Sequence, residues 1–437
     1  MALLVIVVAA LWVPGVARVF LIAQAVFWSL SYVARPLVLL AVRPEPHFGD
    51  NVPDPRLANL GYDRGIALAL EHVMFGVWVY AGLVVAYAVW ARGRPPRCPR
   101  VLDDPDFVPT LVVLYIVTML GRAAATATGS TGTAGEVSSA NPALALLAVP
   151  ASIAAIGLIL FVRSPDPRRT ALILAGLLAG ELWWSAIVQS KTPILGAALT
   201  LVIRFSMVGW SKRTALGVVG IGVVGALGFG WLQSFKSAGS AQGDADQVDA
   251  IYPENVRPFL SILRRFDLLE AATDALYYGP GGWLTPGEVA QNTSLSLIPG
   301  PLLGIEKFQS GTAWATEVRG ASVDMSTVTV SLAEGNFNEG YVLGGYPGVV
   351  LGALFTFALL LTWAATLYSR WIPVVVLGLA VTGGSTLFER GVLGSMEDLG
   401  KFAQTAVLVW LVYLVVAEFR RTETTVKSGE MESQRWV

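Results

Sequence analysis

Residues 334–368 read EGNFNEGYVLGGYPGVVLGALFTFALLLTWAATLY, a polar, glycine-rich motif that runs directly into an apolar segment of membrane-spanning length. Apolar segments of similar length recur along the 437-residue chain, which is 54% hydrophobic and only 14% charged. A soluble domain carries about 25% charged residues. Because these segments are long and continuous, they suit helices rather than short alternating strands. The sequence therefore predicts an all-α polytopic membrane protein.

The apolar segments predict about ten transmembrane helices. Residues 2–13 either add an eleventh short span or begin a long tilted helix, because Pro14, Gly15 and Arg18 interrupt the first apolar run. The predicted spans are 16–42, 65–91, 107–121, 141–162, 170–189, 193–210, 214–232, 341–368, 371–388 and 401–419. They divide the chain into N-terminal helices (1–232), an extracytoplasmic loop domain (233–340), C-terminal helices (341–419) and a disordered cytoplasmic tail (420–437).

The basic residues between the spans predict their orientation. One set of connections and the tail hold fourteen: Arg92, Arg94, Arg97, Arg100, Arg163, Arg168, Arg169, Lys212, Arg213, Arg370, Arg420, Arg421, Lys427 and Arg435. The opposite short loops hold seven: Arg43, Arg56, Arg64, Arg122, Lys191, Arg390 and Lys401. The richer side is expected to be cytoplasmic, which places the loop domain on the outer face of a bacterial cytoplasmic membrane.

The loop domain has its own predicted organisation. Residues 236–250 are rich in small and polar residues and predict a flexible entry. Apolar residues at helical spacing predict one helix over 256–278, with Pro258 in its first turn and the glycine-rich residues 279–282 at its end. Residues 283–325 predict loops.

Composition excludes several classes of function. The net charge of −1 does not favour nucleic acid as a partner, and one cysteine with two histidines does not favour a metal or haem site. No nucleotide-binding glycine motif is present. The N-terminal run lacks a basic region and a clear cleavage site, so we expect it to be retained.

Arginines and carboxylates of the loop domain are the first candidates for chemistry. Arg264 and Arg265 adjoin Asp267, and Arg257 lies two turns earlier. Guanidinium forks suit a phosphate or diphosphate. A solvated helix face with ion pairs at helical spacing is the alternative interpretation.

The motif at the end of the loop domain is the second candidate. Asn338, Glu339 and Tyr341 lie among several glycines, where backbone can approach a ligand closely. A carboxylate there could act as general base on a hydroxyl group. The alternative is a capped helix start with small-residue packing.

Ionisable residues in or beside predicted spans form the third group. Glu181 lies near the middle of one span, where a charge is costly and usually functional. Arg122, Lys191 and Arg390 lie at outer helix ends, where snorkelling is the alternative interpretation. Arg319 in the loop domain completes the set of substrate-binding candidates.

Together these features resemble the Wzy-like polymerases of O-antigen and oligosaccharide repeat units, bacterial membrane glycosyltransferases related to the O-antigen ligases. The resemblance rests on the spans with one late outer loop, on QSKTPIL (189–195), on RRFD (264–267) and on EGY (339–341) followed by GGYPGV (344–349). It covers most of the predicted topology but few exact residues. The loop domain has no histidine, unlike the ligases, which favours a polymerase.

The resemblance implies a GT-C-like fold, no cofactor and an undecaprenyl- or decaprenyl-diphosphate-linked oligosaccharide as donor. Arg264, Arg265, Arg319 and Lys191 would hold the diphosphate, and Glu339 or Asp267 would take the proton of the acceptor hydroxyl. The reaction would invert the anomeric centre without a metal ion. Membrane lipids, a chain-length regulator and a flippase would be the partners.

Two rival functions remain open. A ligase performs the same chemistry on a different acceptor, which the sequence does not reveal. A glycolipid flippase or proton-coupled transporter would use Glu181 within its span, although no internal repeat is visible.

Overall fold

The structure is a computed structural model that describes residues 1–46, 52–95, 98–129, 142–188, 190, 192–208, 220, 251–254, 256–264, 266–298, 304, 307–325 and 331–434. Across these residues every regular element is a helix. The helices are α1 (Ala2–Leu11), α2 (Val16–Val42), α3 (Pro55–Leu60), α4 (Tyr62–Ala69), α5 (Glu71–Ala91), α6 (Phe107–Ala127), α7 (Pro142–Phe161), α8 (Pro167–Ile187), α9 (Thr192–Val208), α10 (Leu260–Leu263), α11 (Leu268–Tyr278), α12 (Pro286–Ser296), α13 (Ser310–Ala313, continued by a π-helical turn to Val318 and a 3-10 turn to Ala321), α14 (Asn336–Thr366), α15 (Ile372–Gly383) and α16 (Val392–Gln434).

Among the described residues, six helices are long and apolar enough to cross a membrane: Val16–Val42, Glu71–Ala91, Phe107–Ala127, Pro167–Ile187, Asn336–Thr366 and Val392–Thr422. Shorter apolar helices are Ala2–Leu11, Pro150–Phe161, Thr192–Met207 and Ile372–Gly383. The prediction of a helical, multi-pass membrane protein is thus confirmed. The count of about ten spans stays a prediction, and the span 214–232 lies outside the described residues apart from Gly220.

Helix α14 is a helical hairpin rather than one straight span. Its backbone leaves the helical conformation at Gly344 and at Gly345, whose φ of 60° favours glycine. Beyond this turn the chain runs back alongside the residues before it. The contact is so close that a Cβ atom on Gly348 would collide with the carbonyl oxygen of Gly340, and one on Gly352 with that of Asn336. We call residues 336–343 the short arm and residues 346–366 the long arm. The predicted span 341–368 therefore begins inside the short arm.

The hairpin predicts that Gly348→Ala destabilises the protein by about 1–3 kcal/mol, since rigid backbone cannot yield to the added methyl group. Gly82→Ala in α5 is the matched control, because nothing lies within 4 Å of its added Cβ. Thermal unfolding in detergent would compare the two variants with the wild type. An unchanged midpoint for Gly348→Ala would contradict the close packing of the two arms.

The described chain divides into two compact units. The first comprises residues 1–96, 211–364 and 386–401, and the second comprises residues 97–210, 365–385 and 402–437. These bounds differ from the predicted division at residues 232 and 340. In the first unit, Trp283 and Trp314 of the predicted loop domain share one apolar core with Val342 of the short arm and Leu393 of α16. The loop domain therefore shares its core with neighbouring segments rather than folding around a core of its own.

The helix predicted over residues 256–278 is interrupted between α10 and α11. A 3-10 turn (Arg257–Phe259) and α10 are followed by non-helical residues before α11 begins at Leu268. Tertiary contacts account for the break: the Arg35 guanidinium donates to the carbonyl oxygen of Phe266 at 3.5 Å, and the Phe266 ring packs edge-on against Phe27. These contacts come from α2 and have no local sequence signal.

Two other segments predicted to be irregular contain helices. Residues 283–325 include α12, which begins with a capping box of Thr285 and Glu288, and the helical segment 310–321. The tail, predicted to be disordered, continues α16 as far as Gln434. Arg420 at its start pairs with Asp106 at 2.8 Å, which ties this part of α16 to the start of α6 within the second unit.

Candidate functional site

The first unit contains a buried ion cluster. Asp274 of α11 is fully buried, and its carboxylate pairs with Arg56 at 2.7 Å and with Arg319 at 3.0 Å. The indole N–H of Trp314 donates to the same carboxylate at 3.0 Å. A buried charge is tolerated when it is paired and hydrogen-bonded in this way. Asp274 therefore joins α3, α11 and the 310–321 segment.

Arg56 extends this cluster toward α3. Its guanidinium also binds Asp54, the N-cap residue of α3, at 2.7 Å, and donates to the hydroxyl of Ser322 at 2.7 Å. Burial alone would lower the pKa of Arg56, but the bonds and charges of Asp54 and Asp274 raise it above its ordinary value. Arg56 is therefore held permanently charged and fully occupied.

Arg319 extends the cluster in the other direction, to Glu270. Its Nη1 lies 3.0 Å from Oε1 of Glu270, whose other oxygen lies 3.8 Å from Nη2 of buried Arg35 in α2. The Glu270 side chain is 25% exposed, whereas Asp274 is fully buried. We call Arg35, Asp54, Arg56, Glu270, Asp274 and Arg319 the outer ion cluster.

Glu270 has a pKa well above the ordinary value of a glutamate. Burial raises the pKa of Glu270 to about 7, the charges of Asp267 and Asp274 add to the rise, and those of Arg319 and Arg35 oppose it. When Glu270 is ionised, three arginines face three carboxylates. When it is protonated, the cluster carries one excess positive charge.

A second group of carboxylates lies at the N-terminus of α16. Glu339 is fully buried, and its carboxylate accepts hydrogen bonds from the backbone N–H groups of Val392 and Leu393. Glu334 pairs with Arg390 at 3.4 Å and accepts from the N–H of Gly391. Unpaired N–H groups and the helix dipole favour anions at this end of a helix.

The environments of these two glutamates suit a structural cap. Burial raises the pKa of Glu334, against the opposing charge of Arg390. Both oxygens of Glu339 already accept backbone bonds, so a proton acceptor role there requires those bonds to open. The assignment of Glu339 as the catalytic base stays a prediction.

The short arm also carries a buried polar network. The side-chain oxygen of Asn338 accepts a hydrogen bond from His72 Nε2 at 3.0 Å, and its amide nitrogen donates to the carbonyl oxygen of Glu334 at 3.0 Å. The ring of Tyr341 stacks on His72 with centroids 4.4 Å apart. Asn338 and Tyr341, predicted as substrate-binding, thus hold the short arm against α5.

Arg122 and Glu181 pair with each other in the second unit. Their side chains are each 1% exposed and lie 2.6 Å apart. Ser152 completes a closed triangle, accepting from Arg122 at 2.6 Å and donating to Glu181 at 2.8 Å. The guanidinium also lies over the ring of Trp184. This intramembrane triad satisfies both charged groups internally.

The remaining predicted site residues that the structure describes lie on either side of α10. Arg257 is exposed and donates to the carbonyl oxygen of Tyr252, while Arg264 and Asp267 lie in the segment that joins α10 to α11. Arg265 and Lys191 lie outside the described residues. Of the predicted arginines, Arg319 belongs to the outer ion cluster and Arg390 to the carboxylate group at α16.

Sequence reasoning missed most of the outer ion cluster. Arg35 carried a usable signal, because an ionisable residue inside an apolar span is usually functional. Asp54, followed by Pro55, carried the signal of a helix N-cap. Nothing local indicated that Asp274 pairs with Arg56, 218 positions away.

Comparisons with protein-family models, with curated proteins and with solved structures return no match for this chain. Among the described residues, no group of three or more histidine, cysteine, aspartate or glutamate side chains is arranged to hold a metal ion.

The outer ion cluster predicts that Asp274→Asn destabilises the protein by about 3–5 kcal/mol, because two buried guanidinia lose their shared carboxylate. Asp63→Asn is the matched control: Asp63 is 70% exposed in a surface pair with Arg43, so its loss changes stability by about 1 kcal/mol or less. Chemical unfolding followed by tryptophan fluorescence would measure both. Equal stabilities of the two variants would show that Asp274 does not organise this unit.

Proposed function

We propose that this chain is a membrane glycosyltransferase that polymerises polyprenyl-diphosphate-linked oligosaccharide units on the outer face of the bacterial cytoplasmic membrane. One observation carries the proposal: two guanidinia, of Arg35 and Arg319, converge on the single partly exposed carboxylate of Glu270. Arg35 lies near the end of an apolar span, so the diphosphate of a lipid-linked donor held there would leave its polyprenyl chain beside the apolar part of that span.

A diphosphate suits this pair of arginines for reasons of charge and shape. Guanidinium groups present planar pairs of N–H donors that match phosphate oxygens, and they stay charged at every physiological pH. During transfer the acceptor oxygen attacks the anomeric carbon, the bond from that carbon to the diphosphate breaks, and negative charge accumulates on the leaving diphosphate. Preformed positive groups stabilise that charge. The proposal therefore requires no metal ion.

The rest of the reaction follows the same balance. The acceptor hydroxyl loses its proton to a base, and the products are a longer lipid-linked glycan and a free polyprenyl diphosphate. The bond to the activated diphosphate supplies the driving force, which agrees with the lack of nucleotide-binding motifs in the sequence. A ligase would differ only in its acceptor.

The decisive assay uses purified protein in detergent with lipid-diphosphate-linked oligosaccharide from the native organism, and adds neither nucleotide nor ion gradient. A ladder of longer lipid-linked products supports a polymerase. Consumption of the donor only when a different lipid acceptor is added points to a ligase. No consumption of any donor would contradict the proposal.

Arg319→Lys is expected to slow ladder formation by about 10- to 150-fold, because lysine keeps the charge but loses the fork, and one charge-assisted hydrogen bond contributes about 1.5–3 kcal/mol. Arg43→Lys is the control, since Arg43 is 62% exposed in a surface pair. Initial rates at saturating donor, with thermal unfolding to check folding, make the comparison. Full activity of Arg319→Lys would refute a bidentate role.

Transport is the second candidate function, and the intramembrane triad favours it. Glu181, Arg122 and Ser152 form a buried polar group in helices of membrane-spanning type, a setting in which carboxylates commonly couple to protons. Glu181→Gln separates the two functions. A transporter would lose its dependence on a proton gradient, whereas a transferase would form its ladder without any gradient.

A further inference from the structure

We propose that the guanidinium groups of Arg35 and Arg319 form an anion site, which the carboxylate of Glu270 occupies in this structure. A diphosphate ligand binds there by displacing the Glu270 carboxylate, which takes up a proton as it leaves. The inference rests on the proposed function for the identity of the ligand as a diphosphate, but its physical basis is the geometry of the three side chains.

The first step concerns which carboxylate of the outer ion cluster can leave. Asp274 is fully buried and holds two arginines and an indole N–H, so its removal leaves several groups unpaired. Glu270 is 25% exposed and has unequal partners, at 3.0 Å and 3.8 Å. Of the two carboxylates, only Glu270 can be replaced by a ligand on the arginines without breaking the pairs that Asp274 makes.

The second step concerns what enters. When Glu270 swings away or is neutralised, Arg35 and Arg319 lose their shared carboxylate, while Asp274 still accepts from Arg319. A group with two or more acceptor oxygens and at least one negative charge restores that pairing. A phosphate or diphosphate meets this requirement and matches guanidinium geometry.

The third step concerns the proton. An ionised Glu270 beside a bound diphosphate would place like charges together, so protonated Glu270 is the form compatible with ligand. The groups on the elements packed against α11 that could alter this titration are Tyr32 and Arg35 on α2, Asp63 and Arg64 on α4, Glu317 and Arg319 on the 310–321 segment, and Asp267 and Asp274 at and within α11. Arg319, Arg35, Asp267 and Asp274 act on Glu270 most strongly.

The sign of the pH dependence follows. Because the pKa of Glu270 lies at about 7 in the ligand-free protein, the competing charge is absent below that value and present above it. Affinity should be constant at low pH and fall about tenfold per pH unit above about pH 7, as expected for uptake of one proton.

The test measures binding to the full-length protein in nanodiscs from about pH 6 to about pH 9. The probe is a geranyl diphosphate ester of N-acetylglucosamine, a diester that lacks the second ionisation found near about pH 6 in phosphate monoesters. Glu270→Gln should bind it independently of pH and, at about pH 9, about a hundredfold more tightly than the wild type. Glu254→Gln, at an exposed position, should keep the wild-type profile.

A gain of affinity in Glu270→Gln separates this inference from other roles of the residue, because loss of a structural ion pair would weaken binding. Equal or weaker binding by a folded Glu270→Gln protein, with the wild-type pH slope, would overturn the proposal. Glu270→Ala provides the same comparison should the glutamine variant not fold. Arg35→Ala with Arg319→Ala should abolish binding in either background.

Inorganic pyrophosphate, compared with the diester at a fixed low pH, identifies the source of the ligand. Preference for the diester indicates a lipid-linked substrate, and equal binding indicates a site for free phosphates; both support the anion site. The two proposals fail separately. A ladder without any gain in Glu270→Gln would reject the inference, whereas the predicted pH dependence without a ladder would reject the proposed transferase.

Discussion

The pairing of one buried carboxylate, Asp274, with Arg56 and Arg319 is the interaction on which the first unit depends. A charge with no exposure to water needs its partners in place whenever the unit is folded. Those partners come from α3 and from the 310–321 segment, so the pairing fixes the loop domain against the N-terminal helices. Arg319 also pairs with Glu270 at 3.0 Å, so that the structural and the exchangeable carboxylate share one guanidinium.

Buried backbone N–H and C=O groups around the hairpin also need hydrogen-bond partners. The N-terminal N–H groups of α16 are satisfied by Glu339 and Glu334, and the carbonyl oxygens of Tyr341 and Val342 accept from the N–H groups of Gly281 and Trp283 at 3.0 Å and 3.3 Å. Helix ends away from water need such partners. The motif that opens the hairpin, rich in glycine and carboxylates, therefore supplies hydrogen-bond partners to the start of α16 and to the 279–283 segment.

Local sequence predicted the helices well and their long-range pairing poorly. Apolar length placed α2 at its observed bounds, but missed the start of α5 and the end of α6 by six residues each. It found all three because a long apolar run by itself requires a helix. The glycines of the hairpin indicated close backbone approach, but glycine patterns serve straight packed spans equally, so the reversal at Gly345 could not be distinguished. The site was harder still. Arg319 was predicted, yet its pairing with Glu270 and Asp274 is visible only in contacts between distant segments, and Arg265 and Lys191 lie outside the described residues.

The intramembrane triad and the outer ion cluster differ in one property that decides where a ligand can act. In the intramembrane triad, Arg122 and Glu181 are each 1% exposed, and both oxygens of Glu181 have close partners. A ligand would have to break a complete set of bonds to enter there. At Glu270, one oxygen has a close partner and the other a distant one, and a quarter of the side chain is exposed. An internal carboxylate that is held loosely on one side offers an anion the lower barrier, so an anion is expected to bind at α11 rather than among the charges within the spans.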